Sequence, residues 1–65
     1  MIRAIKTQYI GEDLVYAELA LNSTDSKPTA VDGDKLVNGS RAIETNTGKV
    51  YVFDEANQSW TEIGG

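Results

Sequence analysis

The chain has 65 residues, 40% of them hydrophobic, and ten Asp and Glu against six Lys and Arg give a formal net charge of −4. It contains neither cysteine nor histidine, which removes disulfide staples, thiolate and imidazole metal ligands and the commonest general base. Its basic residues Arg3, Lys6, Lys27, Lys35, Arg41 and Lys49 form no run to meet a phosphate backbone, no apolar stretch of about 20 residues predicts a membrane span, and no basic start followed by an apolar run reads as a signal peptide.

In chain order, the first segment to show a clear pattern is Leu14 to Leu21. Val15, Ala17, Leu19 and Leu21 alternate with Tyr16, Glu18 and Ala20, as in a strand buried on one face. Residues 2 to 10 fit neither period cleanly. The favoured reading joins the two segments as a hairpin through Gly11-Glu12-Asp13. The alternative is a short helix near residues 13–21, because Glu-Asp-Leu precedes a run of helix formers. Asn22 to Ser40 is polar and reads as a long loop. Loops beyond about 12 to 15 residues are uncommon in compact domains and need a role. Pro28 favours an ordered path, and Val31, Leu36 and Val37 are its apolar pins.

The strongest local signal lies in residues 41–53. Arg41-Ala42-Ile43-Glu44-Thr45 and Lys49-Val50-Tyr51-Val52-Phe53 flank Asn46-Thr47-Gly48, where Gly48 supplies the positive φ of a three-residue hairpin loop. A second turn is predicted over residues 54–59, with Asp54 bonding backbone two residues on and Asn57 taking the left-handed region. Trp60-Thr61-Glu62-Ile63 returns as a third strand, and Gly64-Gly65 reads as a frayed end. The expected fold is therefore a small all-β single domain, with an N-terminal hairpin and a C-terminal three-stranded antiparallel meander joined by a long ordered loop. The α+β form with a helix near residues 13–21 is the alternative.

Chemistry-bearing clusters are few. Asp32-Gly33-Asp34, with Asp25 upstream, offers carboxylates to a hard cation, but the alternating oxygen ligands and terminal Glu of a calcium loop are missing. A turn explains the cluster better. No metal, cofactor or enzymatic activity is expected, because no nucleophile motif or phosphate loop is present. Gly33, Gly39 and Gly48 read as turn glycines, and the Asn-x-Ser/Thr triplets at Asn22, Asn38 and Asn57 as turns. The strand Lys49–Phe53 is apolar on both faces, Val50 and Val52 on one and Tyr51 and Phe53 on the other. One face can pack on the N-terminal half and the other be half covered by loops, or a partner can cover it; a chain this short has little core to spare, which favours association. Tyr51, Phe53, Trp60, Val31 and Leu36 are the interface candidates, with Trp60 also fitting the core beside Tyr51 or Phe53.

The stretch Leu36-Val37-Asn38-Gly39-Ser40-Arg41-Ala42-Ile43-Glu44-Thr45-Asn46-Thr47-Gly48-Lys49-Val50-Tyr51-Val52-Phe53-Asp54, followed by Trp60, resembles a signature of small tailed-bacteriophage virion proteins of the accessory and decoration type. Its parts are an Asn-Gly-Ser entry, a hairpin turning on Asp-Thr-Gly-Lys, an aromatic strand ending in Asp, and a Trp after a short polar loop. Asn46 stands where the relatives more often carry Asp. The run at residues 23–29 is similar to the segment before that signature, and residues 1–22 are unmatched. The resemblance implies a non-enzymatic structural or accessory protein, made in the host cytoplasm and carried in the virion. Its implied partners are capsid or tail proteins, with the chain homo-oligomeric or lattice-bound. The alternative is a small acidic cytoplasmic protein that binds and regulates a host or phage protein.

Overall fold

The computed structural model describes residues 2–64 and is all strand among them, with seven strands in one curled sheet. They are β1 (Arg3–Gly11), β2 (Leu14–Leu21), β3 (Ala30–Val31), β4 (Asp34–Leu36), β5 (Arg41–Glu44), β6 (Val50–Asp54) and β7 (Ser59–Gly64). The strand reading of residues 14–21 holds. β1 and β2 form an antiparallel hairpin, and Asp13 turns its corner at φ 63°, a left-handed conformation that Asp adopts more readily than most residues. Gly64 closes β7 instead of fraying, while Gly65 lies outside the described residues.

β2 is the spine of the molecule. On one side it pairs with β1 alone; on the other it pairs in parallel with β4 through Leu14–Val15 and with β5 through Glu18–Leu21. Two wings leave this side, β4–β3 at one end and β5–β6–β7 at the other. Their curl wraps a core of Val15, Ala17, Leu19 and Leu21 from β2 with Leu36, Ala42 and Phe53 from the wings; Val31, Tyr51 and Trp60 pack against it. The alternation of buried and half-buried residues along β2 is the period-2 signature of one face turned inward.

The interval between β4 and β5 interrupts the ladder along β2. Ser40 repairs it: fully buried, its Oγ accepts the Ala17 N–H at 3.2 Å, and its carbonyl accepts the Phe53 N–H at 2.8 Å. A side-chain oxygen thus stands in for a missing strand carbonyl, as a buried N–H requires.

The segment 22–40 corrects the expectation of one long loop. It contains the small hairpin β3–β4, turning on Asp32 and Gly33 with φ of 52° and 85°. Two positive φ values in a two-residue loop belong to the turn that Asp-Gly favours. Only residues 22–29 and 37–40 remain irregular. In the C-terminal meander the expected pieces are present. Gly48 takes φ 78°, and Asp54 Oδ1 accepts the Ala56 N–H at 3.1 Å. The left-handed residue of the second turn is Gln58, at φ 51°, not Asn57; the Asn57 amide instead donates to Asp54 Oδ2 at 2.7 Å.

Candidate functional site

The long connection acts as a lid. Leaving β2, residues 22–29 cross the inner face, where the Trp60 indole N–H donates to the Pro28 carbonyl at 2.8 Å and the Lys27 ammonium sits 4.0 Å from the centre of the Tyr51 ring. Lys27 also pairs with Glu44 at 2.9 Å. Glu44 sits on the inward face of β5, only 4% exposed, and its second oxygen accepts the Thr47 hydroxyl at 2.7 Å. These bonds from Thr47 and Lys27 hold the Glu44 carboxyl below its usual range, against burial, which pushes the other way. At the lid's beginning, Ser23 N–H donates to Asn46 Oδ1 at 2.9 Å and Asn46 Nδ2 donates to Ser23 Oγ at 2.8 Å. The amide at position 46 therefore both accepts and donates.

A second clasp joins the β4–β5 connection to the β6–β7 turn. Asn38 N–H donates to Glu55 Oε1 at 3.2 Å, and Glu55 N–H donates to Asn38 Oδ1 at 2.6 Å. Asn22 bonds both the Thr24 N–H and hydroxyl, so all three triplet asparagines serve turns.

Of the five residues expected to contact partners, two lie in the core and three are half-buried against it. Phe53 and Leu36 are buried, and Tyr51, Trp60 and Val31 pack against the core. Phe53 and Trp60 lie directly opposite on β6 and β7, ring centres 5.0 Å apart at 60°, an edge-to-face contact. On the sheet's outer face Val50 and Val52 are half-buried, and Val50 shares a row with Ala20 and Ile43. Asp25 Oδ2 accepts the Asn22 N–H at 2.9 Å, which lowers its carboxyl, while Asp32 lies within the β3–β4 turn and Asp34 begins β4. Among the described residues no three carboxylates converge as a metal site would need.

The exposed apolar surface lies elsewhere. All nine residues of β1 are exposed, Ile5, Tyr9 and Ile10 each by more than half, as is Ile63 on β7. Pairing with β2 places Ala4, Thr7 and Tyr9 on the same face as the core, yet nothing covers them. Ile5 and Ile10 fall at irregularities in the β1–β2 register. That displacement is why their spacing in the sequence follows no period. An open depression beside the N-terminal end of β1 is lined by Ile2, Arg3, Ala20, Leu21, Asn22 and Thr45. The arrangement can bind through strand edges and apolar ledges, while its buried polar groups are engaged in holding the fold. Comparison with known protein families, with curated proteins and with solved structures gives no significant match.

Proposed function

We propose that this chain is a non-enzymatic structural or accessory component of a bacteriophage virion, attached to a capsid or tail lattice through protein–protein contacts. The observation that carries this reading is where the residues of the resemblance lie. Gly39 and Gly48 take positive φ, Ser40 repairs the ladder along β2, Asp54 organises the second turn and Trp60 ties the lid to the core. The part that resembles virion proteins is thus the framework. β1, wholly exposed, lies in the unmatched residues 1–22. A shared scaffold with a private exposed strand suits a module that docks on particular particle surfaces, where apolar patches mark contact sites.

The test is mass spectrometry of density-purified particles from cells producing the phage that encodes the chain. Enrichment at a fixed ratio to the major capsid or tail protein is expected. Recovery only from the particle-free lysate would overturn the reading and favour the acidic regulator, which would be captured with its target there.

A further inference from the structure

We propose that copies of this chain join head to tail, the free edge of β1 in one copy pairing antiparallel with the free edge of β7 in the next. Among the described residues no strand covers the outer edge of either: β1 pairs only with β2, and β7 only with β6. Of the six large apolar side chains that stand exposed, Ile5, Tyr9 and Ile10 lie on β1, Ile63 lies on β7 and Ile2 immediately precedes β1. Apolar exposure is therefore gathered at two of the sheet's three open edges, the third being the two-residue β3. Such edges template pairing with another chain.

Charge selects which edges meet. β1 carries Arg3 and Lys6 and no acidic residue, whereas the rest of the chain holds ten acidic against four basic residues, a net −6, and Glu62 is the single charge on β7. Two β1 edges would repel, as would two β7 edges, while β1 and β7 carry opposite net charge, Arg3 and Lys6 on the outer face and Glu62 on the inner one. Glu62 has only a loose pair with Lys49 at 3.9 Å, both exposed, and so keeps most of its field.

Geometry agrees. β1 is antiparallel to β2, β2 parallel to β5, β5 antiparallel to β6 and β6 to β7. β1 and β7 therefore run in opposite directions. A second copy laid in the same orientation presents its β1 antiparallel to β7, with the two inner faces continuous. Register irregularities leave Lys6–Tyr9 regular on β1 and Ser59–Glu62 regular on β7, four residues each. Matching the faces overlaps three of these four and sets Tyr9 opposite Trp60, Gln8 opposite Thr61 and Thr7 opposite Glu62 of the next copy. The irregularities and Lys6 guard β1 against indiscriminate pairing. Because the two patches differ, the contact is heterologous and builds a ring or an open chain instead of a twofold dimer.

This inference goes beyond the virion reading and is tested on the purified chain alone. Sedimentation over a wide concentration range is expected to show species growing past the dimer and shrinking in high salt. The chain has no cysteine, so Gln8→Cys and Thr61→Cys each place a single thiol at an exposed outer-face position. With a thiol cross-linker that spans only neighbouring strands, each variant alone should stay uncoupled and an equimolar mixture should couple. Coupling of Gln8→Cys with itself would overturn the proposal in favour of a twofold dimer. An oligomer without the mixed cross-link, or a wild-type chain monomeric at every concentration, would also overturn it. Unaltered circular dichroism and melting of both variants establish that they are folded.

Discussion

At position 48 the backbone stands at φ 78°, and an added Cβ would meet nothing within 4 Å. The requirement for glycine there is therefore conformational and not steric. Gly48→Val should cost at least ~1 kcal/mol, because a β-branched residue strongly resists the left-handed region. Gly48→Asn should cost less, since Asn visits that region more readily. Melting curves of the two variants check the order, and equal losses would place the cause elsewhere. Ser40 presents the opposite case, a residue needed for one atom. Ser40→Ala leaves the Ala17 N–H buried without its acceptor, and the expected loss is about 1–3 kcal/mol by urea denaturation. A loss under ~0.5 kcal/mol, the range of changes away from such features, would mean that another group takes the proton.

Among the elements, the lid joins sequence to stability most directly. The Glu44 carboxyl sits below the usual glutamate value of 4.5 in the fold, with the Thr47 bond the foremost cause and Lys27 next. A depressed folded pKa contributes stability that is complete above the unfolded value and is lost as pH falls through the folded one. The melting temperature of the wild type should therefore drop on acidification below pH 4.5. Glu44→Gln should be less stable at neutral pH and fall less over that window, so that the two curves converge. Parallel curves would remove Glu44 from the acid response. The two C-terminal turns and the strand alternation of β2 were readable in the sequence because their causes are local: a glycine, an aspartate, a period of two. The β3–β4 hairpin was also written locally, in Val31-Asp32-Gly33-Asp34, although the polar residues around it hid the turn within a longer loop. The lid contacts were not readable, because Lys27 to Glu44 and Pro28 to Trp60 depend on wings that only the closed sheet brings together.

For the molecule as a whole, the parallel pairing around β2 was the least legible feature. Residues paired in parallel need no turn between them, and none of the turn chemistry of residues 22–40 announces that β5 returns beside β2. For the same reason the cover of the aromatic strand was open between the rest of the chain and a partner: Tyr51 and Phe53 find theirs in the lid and the β2 face. The parallel seam also sets the order of folding. The β1–β2 hairpin and the β5–β6–β7 meander each close over short turns, whereas Glu18 must find Arg41 across the intervening segment before the core exists. Non-local pairing of this kind must meet its loop-closure entropy before contacts repay it. The rate-limiting event is then the meeting of two preformed hairpins. Gly48→Val should slow refolding, since it weakens a piece already assembled at the barrier, while a lid change such as Lys27→Gln, whose pairing with Glu44 needs the closed sheet, should leave refolding unchanged and affect unfolding alone. Stopped-flow chevrons of the two variants separate these arms, and a refolding arm untouched by the turn variant would mean that the seam forms before the meander.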